Sequence, residues 1–260
     1  MARARRPSRR EPVPIRVVER GDLYFFYRPR VERHAPRGED DVQRFLAVLE
    51  PEGGDRFRLL TIGRKRLPLA WRTGRERNWG WVMKVAGAPE EIRLELAGYQ
   101  YDTKTRGHRD QPAARPAGAG RYALARHGAH THLAYALARP AEPGPVQRDL
   151  GIEASASLVV AVKNPHWPTP PGLDAGLSPE AEAFFPAPLQ AAFRGRRWAP
   201  VEPGHLDREG AELVFVGSRE PPDPALGIPL EAEEPDDVLG LFGLDPSRHP
   251  VAPLFRGDWA

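Results

Sequence analysis

The chain has 260 residues, 40% of them apolar, and 38 Lys and Arg stand against 35 Asp and Glu. That length and apolar content suffice for one large domain or two ordinary ones built on a real core. The absence of cysteine excludes disulfides, thiolate metal sites, thiol catalysis and iron–sulfur clusters, and leaves His, Asp and Glu as metal ligands.

Charge is unevenly divided. Residues 201–260 contain 13 acids and 4 bases, so the first 200 contain 22 acids and 34 bases, which gives +12 followed by −9. This pattern suits a polyanion-binding body with an acidic segment that covers it or faces solvent. Arginine outnumbers lysine 34 to 4 beside 30 prolines, the residue usage of a GC-rich genome, and a codon-driven solvated surface would look similarly basic. The start, MARARRPSRR, is basic but no apolar run of signal length follows it. Apolar stretches such as Leu158 to Val162 are too short to span a bilayer, so a cytoplasmic protein without membrane segments is expected.

Residues 1–14 read as a disordered basic arm and 15–260 as one compact α+β domain, with a subdivision near 168–178 as the alternative. Strands are predicted at Leu23 to Arg28, Gln43 to Leu49, Phe57 to Gly63, Asn78 to Val85, Tyr122 to Arg126, Thr131 to Leu137, Leu158 to Val162 and Leu213 to Gly217. Each is a short aromatic or aliphatic run bounded by Pro, Gly or charge. Helices are predicted at Pro89 to Ala97, from Ser178 to a stop at Pro186, and at Pro235 to Phe242 closed by Gly243. The fold class is therefore α+β with strand-rich mixed or antiparallel sheets and a few short helices. LLTIGRK from Leu59, LVVAVKN from Leu158 and LVFVGSR from Leu213 resemble one another. The first two follow matching pairs, Tyr24 to Arg28 with Phe45 to Pro51, and Tyr122 to Arg126 with Ala134 to Pro140. A duplicated β unit is one reading, and chance similarity of buried strands is the other.

Residues Arg56 to Lys84 hold nine Lys or Arg against the single acid Glu76, with Trp71, Trp79 and Trp81 interleaved. Guanidinium groups fork onto phosphate and indoles stack on bases, so Arg64, Lys65, Arg66, Trp71, Arg72, Arg75, Arg77 and Trp79 form a candidate polyanion surface. A second basic group, Lys104, Arg106, Arg109 and Arg115, lies in a Gly- and Pro-punctuated segment read as a long loop, a common place for a site and also for a plain mobile surface. Downstream, GRYALARHGAHTHLAYALARP suits a hairpin with a two-residue turn at Gly128-Ala129, pairing His127 with His130. Period-2 alternation then places Tyr122, Leu124, Leu133, Tyr135 and Leu137 on a core face and the three histidines His127, His130 and His132 on the other. Those imidazoles, with Arg126 nearby, are candidates for a divalent metal, a phosphate contact or proton transfer; an exposed polar hairpin tip is the alternative. No Gly-x-Ser-x-Gly, His-Glu-x-x-His or Gly-x-Gly-x-x-Gly motif occurs, and the acid pairs Asp40-Asp41 and Asp236-Asp237 suit helix starts better than acid/base work.

YFFYRPRV from Tyr24, DDVQRF from Asp40, IGRKRLP from Ile62, TKTRG from Thr103, AARPAGAGRYALARHGAHTHLAY from Ala113 and VKNP from Val162 together resemble a family of uncharacterised bacterial proteins of similar length. The resemblance implies a stand-alone soluble protein and carries no activity, cofactor or catalytic residue. Three functional readings follow. The first is a polyanion-binding protein for RNA or single-stranded DNA. The second is an enzyme acting on a phosphorylated or nucleotide substrate at the 101–132 loop and hairpin, with or without a divalent metal. The third is a protein–protein adaptor whose basic body and acidic C-terminus pair between subunits. The sequence leaves the oligomeric state open.

Overall fold

The computed structural model describes residues 14–69, 76–172, 177–218, 230, 232–233, 235 and 237–260. All eight predicted strands are present, most of them longer than expected. They are β1 (Ile15–Pro29), β2 (Val42–Pro51), β3 (Phe57–Ile62), β4 (Arg77–Ala86), β7 (Arg115–His127), β8 (His130–Arg139), β9 (Ser155–Lys163) and β11 (Glu212–Gly217). Antiparallel pairing runs β9-β11-β4-β3-β2-β1-β7-β8, and β8 pairs again with β9, closing an eight-stranded barrel. Short β10 (Trp198–Pro200) pairs with the last residues of β9. The two strands flanking residues 168–178, β9 and β10, are neighbours in this sheet.

Alternation explains the closure. Leu23, Phe25 and Tyr27 of β1 join Phe45, Ala47 and Leu49 of β2, Leu60 and Ile62 of β3, and Val82 of β4 in one cluster. Tyr122 and Leu124, Leu133, Tyr135 and Leu137, Leu158 to Val162 at alternate positions, and Leu213 and Phe215 complete it from the other four strands. Eight strands enclose a bore that side chains can just fill. Phe25 does so centrally, with ring centroids 5.7 Å from Phe45 and 5.4 Å from Tyr135. Each of β1 and β7 carries an extra residue against the other, and such bulges bend long strands around a barrel.

The barrel ends differ in what stoppers them. At the upper end, where β1, β3 and β8 finish, α2 (Pro145–Leu150) inserts Val146 and Leu150 beside Leu67, whose N–H donates to the Leu150 carbonyl at 2.9 Å. At the lower end, where β9 finishes, α3 (Ala187–Ala191), β10 and α4 (Pro203–Leu206) bring in Phe185, Phe193, Val201 and Leu206. His205 is buried there between the rings of Phe185 and Phe193, 5.1 and 5.7 Å away. Its Nδ1 accepts from the Glu202 N–H at 3.0 Å, which places the proton on Nε2, facing the Leu189 carbonyl. An ion cluster ties this stopper to the wall. Arg58 Nε donates to Asp207 at 2.8 Å and its Nη1 to Glu19 at 2.7 Å, and Tyr122 Oη donates to the same Glu19 oxygen at 2.8 Å.

A second layer covers the outside of β1–β3. Tyr24, Phe26, Leu46, Val48 and Leu59 pack under Ile92 and Leu96 of α1 (Pro89–Leu96) and under Val238, Phe242 and Leu254 of the C-terminal segment. Phe242 meets Tyr24, Phe26 and Phe57 edge-on at 5.1, 5.8 and 6.0 Å. Burial on both faces is why Tyr24-Phe25-Phe26-Tyr27 reads as an unbroken apolar run. The C-terminal segment holds α5 (Val238–Leu241) and α6 (Ala252–Arg256), and Asp237 caps α5 by accepting from the Leu239 N–H at 3.1 Å, as expected of a helix-start acid.

Three expectations change. The predicted helix from Ser178 is absent: Ala183 N–H turns to the Gly210 carbonyl at 3.2 Å, drawing the chain out against the stopper, and the helix forms only after Pro186. The segment read as a long loop is a two-stranded hairpin, β5 (Tyr99–Thr103) and β6 (Gly107–Gln111), outside the barrel. Connectivity does repeat, since β1-β2-β3-β4 and β7-β8-β9-β11 are two up-and-down runs joined at both edges. The matched letters do not. Tyr24, Phe45 and Leu59 were aligned with Tyr122, Ala134 and Leu158, and in every pair one residue faces the bore and the other the outer layers. Leu213 to Gly217 of LVFVGSR lie in β11, which occupies the place of β4 rather than β3. A one-residue slip exchanges faces along a strand, so these matches are not equivalent positions.

Candidate anion-binding surfaces

The described part of the expected basic-aromatic surface lies at the upper end, with Arg64 exposed. Arg64 and Lys65 sit in a turn with φ of 52° and 57°, and Lys65 lies within electrostatic reach of Glu39 and Asp40, and Arg66 of Glu39. Burial, then Arg30, pushes the Lys65 amine down, while burial raises the Glu39 carboxyl. These are the signs of a surface where cations and acids interleave. Trp71, Arg72 and Arg75 lie outside the described residues. Arg77 is exposed at the start of β4. The indole of Trp79 passes over Gly63, where an added Cβ would come within 2.3 Å of the ring, and it stacks on Trp81 at 5.5 Å. Its contacts are made inside the chain.

The second basic group divides. Lys104 and Arg106 are exposed at the β5–β6 turn, and Arg109 Nε lies 3.6 Å from Glu32. Arg115 begins β7, buried, and donates from Nη2 to the His34 carbonyl at 2.6 Å. Its guanidinium also lies beside the hydroxyl of Tyr27, its partner across the strands.

The histidine hairpin forms as read from the sequence. Gly128 takes φ 59°, His127 pairs with His130, and the core face is Tyr122, Leu124, Leu133, Tyr135 and Leu137. His132 lies buried on the opposite face with Nδ1 3.0 Å from Ser157 Oγ. Burial, with His127 and His130 adding to it, pushes its imidazole down to about 4, so it is neutral at pH 7 and unsuited to holding an anion. His127 and His132 have ring centroids 6.0 Å apart, and among the described residues no group of three or more His, Asp or Glu is placed to hold a metal.

The hairpin and the second basic group do not share a cleft. Register pairs Tyr27 with Arg115 and Ile15 with His127. Twelve strand residues separate the two positions, roughly 40 Å at about 3.3 Å each, so they stand at opposite ends of the barrel. A site joining Lys104, Arg106 and Arg109 to His127, His130 and His132 is therefore not assembled.

Of the sequence candidates at the lower end, Arg126 is the one that reaches a cleft. A space of about 300 Å³ lies between the β7–β8 turn and the α3–β10 connection, lined by Arg126, Arg194, Arg196, Trp198 and the single acid Glu202. Arg194 and Arg196 are exposed, and Arg126 Nη1 is 3.9 Å from Glu202. Beside it Arg197 stacks over the half-exposed ring of Trp167, 5.7 Å from the centroid. Arg194, Arg196, Trp198 and Trp167 were missed in the sequence. The string RGRRW carried the same basic-aromatic signal as Arg56 to Lys84, over too few residues to stand out by charge count.

No family model, curated protein or solved structure matches this chain. No helix among the described residues is long and apolar enough to cross a membrane.

Proposed function

We propose that this protein binds a polyanion, RNA or single-stranded DNA, across the lower end of its barrel. The observation that carries the reading is the convergence of Arg126, Arg194 and Arg196 on a cleft that holds Trp198 and one acid. Guanidinium planes fork onto successive phosphates, and an indole at the cleft wall gives a base a flat partner without reading its identity. The cation–π pair of Arg197 and Trp167 extends the same chemistry along the surface.

Titration of the protein with single-stranded oligonucleotides, RNA and DNA in separate arms, quenches tryptophan emission at low salt. Affinity falls with salt at a log–log slope of about −2, three neutralised phosphates at ~0.7 each. Absence of binding at low salt, or an affinity indifferent to salt, sinks the reading.

A further inference from the structure

A second cleft lies at the upper end, on the outside of the barrel. It has a volume of about 820 Å³ and is walled by the end of α1, the root of the β5–β6 hairpin, the start of β7 and the 243–250 segment. Sites for small ligands occupy roughly 300–1,000 Å³. Three guanidinium groups from three separate elements line it: Arg93 of α1, Arg115 of β7 and Arg248 of the C-terminal segment.

The walls are held firmly. Buried Arg28 donates to the carbonyls of Glu95 at 2.6 Å and of Ala97 and Pro112 at 3.0 Å, fastening α1 to the connection leading into β7. Buried His249 fastens the C-terminal segment through Nδ1, 2.7 Å from the Ala114 carbonyl, and burial pushes its imidazole down, which keeps it neutral. The stem of Arg93 lies against Gly243, which has a φ of 55°.

The three guanidinium groups of this cleft outnumber its carboxylates. Two acids share the lining: Asp110 faces His34 at 3.5 Å, and Asp245 lies within electrostatic reach of Arg248, while among the described residues neither comes to ion-pairing distance of Arg93, Arg115 or Arg248. Arg115 is 3% exposed, and beyond the His34 carbonyl its guanidinium has the uncharged Tyr27 hydroxyl beside it rather than a carboxylate. A buried cation without a counter-ion is strongly unfavourable, and an anion in the adjoining cleft offsets that cost through its field. Exposed Arg93 and Arg248 are free to make the direct contacts, and bidentate guanidinium geometry favours phosphate. At the rim Tyr99, 57% exposed, presents an aromatic ring.

We infer that this cleft binds a nucleoside monophosphate, with its phosphate held by Arg93 and Arg248 in front of Arg115 and its base against Tyr99. The site is independent of the polyanion surface at the other end of the barrel. Calorimetric titration with AMP, adenosine and inorganic phosphate tests it. AMP binds, and adenosine and inorganic phosphate each bind at least about tenfold more weakly, the loss of ~1.4 kcal/mol or more. The surface double variant R93A/R248A weakens AMP by about tenfold or more, Y99A weakens AMP without altering phosphate binding, and R194A/R196A leaves AMP binding unchanged. Absence of AMP binding, equal affinity for inorganic phosphate, or unchanged affinity in R93A/R248A overturns the inference. Oligonucleotide binding is read separately in each variant, so failure here and failure of the polyanion reading are distinguishable.

Discussion

The two ends of the barrel carry similar residues and use them differently. At the upper end Lys65 and Arg66 lie within electrostatic reach of Glu39, and Lys65 of Asp40 as well, and Trp79 is folded over Gly63. At the lower end Arg126, Arg194 and Arg196 come from two separate elements to one cleft facing a single acid, with an indole in its wall. Charge counted along the chain measures how many cations a segment has. What a polyanion meets is the cations left over once the fold has assigned counter-ions, and that depends on which elements the barrel brings to the same end.

The sharpest way to break this comparison is to remove equal charge from each end. R194A/R196A is expected to lower single-stranded oligonucleotide affinity about tenfold or more, whereas R64A/K65A changes it by less than about twofold; fluorescence titration at fixed salt reads both. Equal losses would remove the distinction between the ends.

In stability the largest effect is expected at the cluster that locks the lower stopper to the wall. Arg58→Ala leaves Glu19 and Asp207 without their buried cation and is expected to destabilise the fold by about 3–5 kcal/mol in urea denaturation. At the upper end Gly63→Ala places a Cβ 2.3 Å from Trp79, and the resulting displacement is expected to cost about 1–3 kcal/mol and to shift tryptophan emission.

The smallest expected effect is a pH dependence. His132 is pushed down from its ordinary 6.5 to about 4 by burial, so between those values the unfolded chain takes up a proton that the folded chain refuses. Stability from this group is complete above pH 6.5 and is lost as the pH falls toward 4. Buried His205 and His249 are shifted in the same direction, so His132→Asn is expected to flatten, without abolishing, the fall of the urea midpoint with acid. An unchanged slope would show that His132 is not buried as a neutral group.

What could be read from the sequence was local. The hairpin at Gly128 was legible down to its pairing because a positive-φ position and strict alternation on both sides admit one register. The eight strands were legible because each is a short apolar run with a marked end. Closure of the barrel was not, since it depends on β1 meeting β7 and on β4 meeting β11, the latter with 125 residues between Ala86 and Glu212. The β5–β6 hairpin escaped because YQYDT and GHRDQ lie on no core face, and an exposed ribbon has no hydrophobic period to betray it. Arg115 was noted as a basic residue, yet nothing in its neighbours along the chain signalled burial, which follows from its place opposite Tyr27. The lower cleft was half legible: Arg126 was recognised beside the histidines, while Arg194, Arg196 and Trp198 lie almost 70 residues further on and reach it only because β10 pairs with the end of β9.

Hydrogen exchange of the protein with and without a saturating single-stranded oligonucleotide tests most directly which end binds. The expected result is protection concentrated in residues 126–130 and 192–202, with the turn at 63–66 and the start of β4 unchanged. Protection confined to 63–66 and 77–81, with the lower end exchanging as in the free protein, would contradict it.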